Sequence, residues 1–270
     1  MKIQEKLCIL IADDSSTLRD QLKDYLEDLA PNAVLLEAET GTETLEILGD
    51  QVVDILFMDV NMPEMSGIDA LMMLRGKGNG VFVTLMATEP DEDAIRTGSE
   101  FGSYDFLKKP FDKGEIATIL RSYMSLVKRK NVMIVDGSST IRRLIYKVLA
   151  SCRFDLMVSE VENGDAALEL MHGTRPDIVF LDCKMSGLDC IQAARRLRAE
   201  NPALKLVMIS SQDMDDLAEE CRKAGIFAFI KKPFYPNEVD YVLHRAYDLN
   251  LPHALMKMPN VLMLQEKAFA

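Results

Sequence analysis

Short apolar runs alternate with longer amphipathic stretches along most of the chain. In the first half the apolar runs lie near 7–12, 33–38, 54–58, 81–86 and 104–108, and the amphipathic stretches near 16–29, 42–49, 66–75, 91–100 and 112–128. The apolar runs lack the alternation of a half-buried strand, so we expect strands that helices cover on both faces. Repeated strand–helix units of this kind predict an open parallel α/β sheet with helices on both sides.

The same pattern occurs twice in the chain. Asp13 and its neighbours resemble the sequence around Asp136, at an offset of 123 residues. The same offset relates Gly41 to Gly164, Asp54 to Asp177, Asp59 to Asp182, Gly102 to Gly225 and Lys109-Pro110-Phe111 to Lys232-Pro233-Phe234. Repetition on this scale indicates homologous domains, which we place at residues 1–129 and 130–248, followed by an apolar, methionine-rich tail at 249–270.

Composition and charge exclude several classes of protein. The 270 residues are 48% hydrophobic, which is enough for two buried cores, and the formal net charge of −12 repels nucleic-acid phosphates and anionic membranes. No apolar run reaches the length of a membrane-spanning helix, and the N-terminus lacks a signal-peptide cleavage pattern. The five cysteines form no CxxC pair, which favours reduced thiols. We therefore expect a cytoplasmic protein that binds neither nucleic acid nor membrane.

Charged residues follow three of the predicted strands in the first domain, which carries −11 of the net charge. Asp13 and Asp14 come directly after strand one, Asp59 ends strand three, and Lys109 follows strand five. Ligands of open α/β sheets bind beyond the carboxyl ends of strands. If strands one and three are neighbours, three carboxylates converge there, and a hard cation such as Mg²⁺ offsets their repulsion. Asp59 is then free to act as a nucleophile toward phosphorus, while the cation and Lys109 stabilise charge on the phosphoryl oxygens.

Three motifs of the first domain resemble the receiver domain of response regulators in order and spacing. They are Ile11-Ala12-Asp13-Asp14-Ser15, Phe57-Met58-Asp59-Val60-Asn61-Met62-Pro63-Glu64-Met65-Ser66-Gly67 and Leu107-Lys108-Lys109-Pro110-Phe111. The resemblance covers about 1–250, in two copies. It implies two flavodoxin-like (βα)5 doubly wound domains in tandem, each with strand order 2-1-3-4-5.

The resemblance also implies a role for each residue of the first site. Asp59 would accept a phosphoryl group from a phosphohistidine on a sensor histidine kinase or histidine phosphotransfer protein. Mg²⁺ would be held by Asp14, Asp59 and the backbone carbonyl of Asn61, with Asp13 helping through water. Lys109 would contact the phosphoryl oxygens and precede a cis peptide bond. Taken singly, Asp13 is better explained as a helix cap and Lys109 as a solvated lysine. Their joint placement at the strand ends favours the functional roles.

The first domain departs from the receiver pattern at the end of strand four. Receivers carry Ser or Thr 22 residues before the lysine, and here that switch position is Ala87, followed by Thr88. Thr88 would supply the hydroxyl only if the loop were shifted by one residue. The constant offset of 123 residues between the repeats argues against such a shift. We expect phosphorylation with an altered switch. The aromatic switch positions, three residues before each lysine, are Phe106 and Phe229.

The second domain retains only part of the site, namely Asp136, Asp182, Ser210 and Lys232. Gly137 stands where the main metal carboxylate belongs, and the loop after Asp182 is three residues shorter, with Met185-Ser186-Gly187 in place of the longer motif. A missing carboxylate weakens Mg²⁺ binding. We therefore expect a degenerate receiver that serves as an adaptor, with Asp182 as a second and less favoured phosphoacceptor.

Two further features leave alternatives open. Cys183, beside Asp182, suits a redox sensor, although a buried cysteine is the commoner outcome. The tail at 249–270 is too short for a DNA-binding, cyclase or phosphodiesterase output domain. It either packs back on a domain, which we favour, or docks on a partner.

Three functions are compatible with these residues. The favoured one is a response regulator without a recognisable output domain and without classical enzyme activity. Its phosphorylated state would change binding to an effector protein or to a second copy, forming a homodimer, through the face of helix four, strand five and helix five. A phosphorylation-independent pseudo-receiver scaffold is the alternative, supported by Ala87 and the broken second site. A phosphatase of the haloacid-dehalogenase type requires a second Asp two residues after the nucleophile. That residue is Asn61 in the first domain and Lys184 in the second, which disfavours this function.

Overall fold

The apolar runs of the first repeat form parallel strands, and the amphipathic stretches form the helices between them. The computed structural model describes residues 3, 6–89, 92–183, 190–212, 214–255, 258 and 260–265, without the side chains of 214–217 and 254. Its first ten elements are β1 (Cys8–Ala12), α1 (Ser16–Leu29), β2 (Val34–Ala38), α2 (Gly41–Asp50), β3 (Ile55–Asp59), α3 (Gly67–Gly76), β4 (Phe82–Ala87), α4 (Glu92–Glu100), β5 (Asp105–Lys108) and α5 (Lys113–Val127).

The second repeat gives the same succession of elements, and the tail adds two more. They are β6 (Lys130–Val135), α6 (Ser139–Ser151), β7 (Leu156–Val161), α7 (Gly164–Thr174), β8 (Ile178–Asp182), α8 (Cys190–Glu200), β9 (Lys205–Ser210), α9 (Met214–Ala224), β10 (Ala228–Lys231), α10 (Pro236–Ala246), a 3₁₀ helix at His253–Leu255 and β11 (Val261–Met263). Unit 1 comprises Met1–Met124 with Pro252–Met256, and unit 2 comprises Ser125–Leu251 with Lys257–Ala270.

The sheet of unit 1 confirms the predicted topology. Its strand order is β2-β1-β3-β4-β5, and every pairing is parallel. Alternate residues of β3 enter two different cores: Ile55 and Phe57 pack with α1 and α5, whereas Leu56 and Met58 pack with α3. All five residues of β3 are buried. A strand covered on both faces in this way explains why its sequence is an apolar run without alternation.

The sheet of unit 2 has the predicted parallel order of five strands and gains a sixth strand from the tail. Its order is β11-β10-β9-β8-β6-β7, and β11 pairs antiparallel to β10. Leu262 and Leu264 pack against the core of this unit. A three-residue strand is too short to show a period in the sequence, so the strand in the tail was not predicted. The apolar residues of the tail cover the edge of β10, which would otherwise be open to pairing with another chain.

No helix in the part of the chain that the structure describes has the length and apolar character needed to cross a bilayer.

A short segment of the tail belongs to unit 1 and docks on β5. The backbone nitrogen and Nδ1 of His253 lie 3.1 and 2.6 Å from Oδ1 of Asp105. Leu255 in the same turn is buried. The hydrogen bond from His253 to the Asp105 carboxylate raises the pKa of His253 above its ordinary value of 6.5.

Docking of this segment is expected to weaken as the pH rises. Because the folded-state pKa of His253 is raised, its contribution to docking is full below pH 6.5 and is lost as the pH passes the raised value. An NMR titration of the imidazole should give a pKa above 6.5, and Asp105→Asn should return it toward 6.5. Equal pKa values in the two proteins would refute the ion pair.

Candidate functional site

Strand alternation places three charged side chains on one face at the carboxyl edge of the first sheet. Ile9 and Ile11 of β1 face α1 and α5, and the next residue in that series is Asp13. Ile55 and Phe57 of β3 lead in the same way to Asp59, and Leu107 of β5 leads to Lys109. Successive side chains of a strand point to opposite faces, so residues two apart share a face. The three groups therefore meet because of the register of β1, β3 and β5.

Lys109 lies between two buried carboxylates. Its Nζ is 2.6 Å from Oδ2 of Asp13 and 2.9 Å from Oδ2 of Asp59. Asp13 is 0% exposed and Asp59 is 5% exposed. Burial raises the pKa of Asp59, and the Asp13 carboxylate adds to this, whereas Lys109 and the backbone N–H of Asn61 oppose it. The pair of carboxylates is thus held together by one ammonium group that shares its charge between them.

Asp14 completes a group of carboxylates that suits a hard cation. One oxygen each from Asp13, Asp14 and Asp59 lies within 4.8 Å of the others, and Asp14 is exposed at the mouth of the group. Oxygen ligands from one or two carboxylates, with water and phosphate completing the shell, are what Mg²⁺ takes in proteins. Three carboxylates against one lysine leave negative charge that a divalent cation would neutralise. The donor set therefore fits Mg²⁺.

These side chains line an open cavity of about 440 Å³. Its walls are formed by Asp13, Asp14, Ser15, Leu18, Gln21, Asp59, Thr88, Lys109, Pro110 and Phe111. The peptide bond between Lys109 and Pro110 is cis, as expected.

The acidic loop after β1 is fixed by groups that sequence reasoning missed. Ser15, and not Asp13, caps α1, because its side chain accepts from the backbone N–H of Leu18. Oδ1 of Asp13 accepts from the N–H of Ser15 at 3.0 Å, and its carbonyl accepts from Nη1 of Arg19 at 2.7 Å. Arg19 is 7% exposed. Its repetition as Arg142 at the common offset, where it binds the carbonyl of Asp136, was the available signal.

The loop after Asp59 returns to the strand end at Gly67. The N–H of Gly67 donates to the carbonyl of Val60 at 2.9 Å. A Cβ at position 67 would collide with the carbonyl oxygen of Asp59. Only glycine allows this approach, so Gly67 sets the path of the loop that carries Asn61.

Gly67→Ala is expected to destabilise unit 1 by about 1–3 kcal/mol, because backbone atoms of Asp59 must move to admit the methyl group. Gly76→Ala in the same helix is the matched control, since a Cβ there meets no atom within 4 Å. That control should be neutral or stabilising by up to about 1 kcal/mol. Urea denaturation of the full chain gives both values, and equal stability of the two variants would contradict the close approach.

Strand pairing assigns Ala87, not Thr88, to the hydroxyl position. Asp59 pairs with Met86 in the first sheet, and Asp182 pairs with Ile209 in the second. Both pairings obey the same offset of 123 residues, so Ala87 corresponds to Ser210 without a shift. Thr88 is exposed and lines the cavity from the following loop.

The aromatic switch positions are buried, whereas two positions that affect phosphoryl lifetime in receivers, Asn61 and Glu89, are exposed. Phe106 and Phe229 are both buried, at 5% and 1% exposure. Phe106 packs under α4, where a Cβ on Gly98 would come within 2.8 Å of its ring. Asn61 and Glu89 are exposed.

Among the described residues, the second site keeps the lysine bridge and has no counterpart of the Asp14 carboxylate. Nζ of Lys232 lies 3.2 Å from Oδ2 of Asp136 and 2.9 Å from Oδ1 of Asp182. Ser210 is buried at the end of β9. Gly137 is exposed where Asp14 stands in the first site. The shortened loop at Met185-Ser186-Gly187 lies outside the described residues, as does Lys184.

An open parallel sheet with order 2-1-3-4-5, three carboxylates at its edge and a lysine opposite defines the class of protein. The response regulator receiver domain family matches residues 9–121 and 132–244. The chain therefore belongs to the response regulator receiver family and carries the domain twice, as the sequence motifs predicted. Receiver domains of this family act in two-component signalling.

Curated relatives match one receiver domain at a time. The chain is 31% identical over 115 residues to the chemotaxis protein CheY of Listeria monocytogenes, a match that covers 43% of this chain and 96% of that protein. It is 34% identical over 116 residues to the transcriptional regulatory protein CpxR of Escherichia coli, covering 43% of this chain and 48% of CpxR. The match thus spans about half the length of that second relative.

Solved structures match nearly the whole chain. Two chains described as two-component system response regulator/GGDEF domain proteins each cover 93% of this chain and are covered completely. They are 23% and 22% identical, with TM-scores of 0.61 and 0.63. At this identity the likeness shows the fold.

Proposed function

We propose that the chain is a two-component response regulator in which Asp59 accepts a phosphoryl group. The donor is the phosphohistidine of a sensor histidine kinase or histidine phosphotransfer protein, and the phosphorylated state changes binding to another protein. The observation that carries this proposal is the convergence of Asp13, Asp14 and Asp59 with Lys109 around one open cavity.

The chain's own residues supply the nucleophile and part of the charge stabilisation. A carboxylate oxygen of Asp59 forms the new bond to phosphorus while the bond from phosphorus to the donor imidazole breaks. Lys109 contacts the Asp59 carboxylate and is close enough to bind an oxygen of the phosphoryl group attached there. Bound Mg²⁺, held by Asp13, Asp14, Asp59 and the carbonyl of Asn61, would neutralise charge on the phosphoryl oxygens.

The read-out of phosphorylation is expected to differ from that of receivers with a hydroxyl at the end of β4. Ala87 offers no hydroxyl to the phosphoryl group, and Thr88 lines the cavity one residue later. We propose that the face formed by α4, β5 and α5 still carries the signal to an effector or to a second copy of the chain. Ala87 is also the observation that supports the alternative, a scaffold that works without phosphorylation.

Intact-mass measurement after incubation with Mg²⁺ and a small phosphodonor separates these two functions. The wild type and Asp182→Asn should each gain one phosphoryl group, and Asp59→Asn should gain none. A wild type that gains none would favour the scaffold. A phosphoryl group that persists in Asp59→Asn and disappears in Asp182→Asn would move the function to the second domain.

The phosphoryl group on Asp59 is expected to be short-lived. Asn61 and Glu89 occupy the positions that tune lifetime in receivers, and both are exposed and polar, so they leave a path for the attacking water. Loss of the phosphorylated band on a phosphate-affinity gel, after removal of the donor, measures the decay. Decay over seconds to minutes is the expected result, and persistence for hours would contradict it.

A further inference from the structure

A turn of the tail lies against the edge of the first sheet. β5 is the edge strand of this sheet, next to β4. The 3₁₀ helix at His253–Leu255 belongs to unit 1 and contacts both β5 and α4. A strand edge is a ready site for binding another chain. The residues that cover this edge therefore control access to it.

The turn has an apolar face and a polar side chain. The N–H of Leu255 donates to the carbonyl of Pro252 at 2.8 Å, which closes one turn. Residues three apart lie on the same face of such a turn, and Pro252 and Leu255 are both buried, whereas His253 is exposed. The fixed φ of Pro252 reduces the conformational freedom that the segment loses when it docks.

The carboxylate of Asp105 is the polar anchor for this turn. The backbone N–H and the Nδ1–H of His253 both donate to its Oδ1, at 3.1 and 2.6 Å. Hydrogen bonds to a charged acceptor are stronger than those between neutral groups. At the common offset the second unit has Ala228, which pairs with β11. The edge of β5 thus binds a turn through a carboxylate, where the corresponding edge of β10 binds a strand.

We propose that the Asp105 carboxylate and the adjoining part of α4 form a docking surface for a peptide turn with the pattern Pro-His-x-Leu. Residues 252–255 occupy this surface in cis and exclude a partner protein that presents the same pattern. Because the tail is tethered, its effective concentration at the surface is on the order of millimolar. A Kd of about 0.1 mM for the free segment then keeps the surface about nine-tenths occupied, and a partner binds about tenfold more weakly than to an open surface.

The docked turn contacts the two elements that flank the aromatic switch position. Phe106 follows Asp105 on β5 and packs under α4, and its N–H donates to the Asp105 carboxylate at 2.9 Å. The surface is part of the face formed by α4, β5 and α5. Its consequence for signalling rests on the proposed function, whereas docking of the tail does not. An effector that uses the Asp105 carboxylate has to displace the tail.

A free peptide of residues 250–257 tests the surface on the full chain, without a phosphodonor. The double variant His253→Ala with Leu255→Asp opens the surface, and the NMR shift of the Phe106 amide reports binding. The peptide should bind the double variant with a Kd of about 0.1 mM or tighter, and the wild type at least about tenfold more weakly.

Two aspartate substitutions, each added to the double variant, test the anchor. Asp105→Ala should weaken peptide binding at least about tenfold. Asp50→Ala is the matched control and should leave binding unchanged, because Asp50 is exposed at the end of α2. Equal affinity of the peptide for the wild type and the double variant would overturn the proposal, as would a Phe106 amide that does not shift at millimolar peptide.

Hydrogen exchange in the otherwise unaltered chain gives a second measure that does not depend on the double variant. The Leu255 amide, which donates to Pro252, should be protected, and Asp105→Ala should speed its exchange at least about tenfold. An unchanged exchange rate would also overturn the proposal. Neither measurement requires phosphorylation of Asp59, so failure of the docking surface is distinguishable from failure of the proposed function.

Discussion

Asp14→Asn is expected to slow phosphorylation of Asp59 by a small phosphodonor by at least about 100-fold. Asp14 is the exposed member of the three-carboxylate group, whereas Asp13 and Asp59 share the Lys109 ammonium. The substitution removes one negative ligand and leaves the buried pair in place. Asp14→Asn should therefore weaken Mg²⁺ binding and leave the stability of the fold unchanged.

Asp24→Asn is the matched control for this effect, because Asp24 is also exposed and lies on α1 outside the three-carboxylate group. It should phosphorylate at the wild-type rate. The time course of the phosphorylated mass, at several Mg²⁺ concentrations, gives both rates. A wild-type rate for Asp14→Asn would show that this carboxylate does not hold the cation.

Gly137→Asp is expected to create Mg²⁺ binding in the second domain, at least about tenfold tighter than before, which corresponds to about 1.4 kcal/mol. The position is exposed, and an added Cβ meets the carbonyl oxygen of Glu162 at 3.7 Å, an ordinary contact. The new carboxylate would join Asp136 and Asp182, which Lys232 already holds together. Unit 2 would then have the charge pattern of the first site.

Calorimetric titration with Mg²⁺ measures this gain most cleanly when Asp14→Asn silences the first site. Gly137→Asn is the control, because it has nearly the volume of aspartate without its charge. The aspartate variant should bind, and the asparagine variant should not. Equal binding by the two would assign any gain to geometry, and no binding by either would place the defect of the second domain elsewhere.

Much of the site was predictable because it depends on local patterns. Parallel strands end at one edge of a sheet, and period-two alternation carries Asp13, Asp59 and Lys109 to one face. The constant offset between the two repeats identified the corresponding residues of the second site. Gly67 was part of a recognised motif, but the sequence does not show that a Cβ at this position would collide with the Asp59 carbonyl oxygen.

Long-range packing set the features that the sequence did not predict. Strand β11 has only three residues, which is too short for a hydrophobic period to be visible in the sequence, and its partner β10 lies some thirty residues earlier. Arg19 donates to the Asp13 carbonyl and also forms ion pairs with the carboxylates of Glu37 and Glu39. These contacts depend on how α1 packs next to β2. The assignment of Ala87 to the hydroxyl position rested on an offset until strand pairing fixed it.

Borohydride reduction of the phosphorylated chain shows which aspartate carries the phosphoryl group. The reagent converts an aspartyl phosphate into homoserine, and peptide mapping then identifies the position. We expect homoserine at position 59, in a yield that depends on Mg²⁺ during phosphorylation. Homoserine at position 182 alone, or none anywhere in a chain that has gained a phosphoryl group, would contradict it.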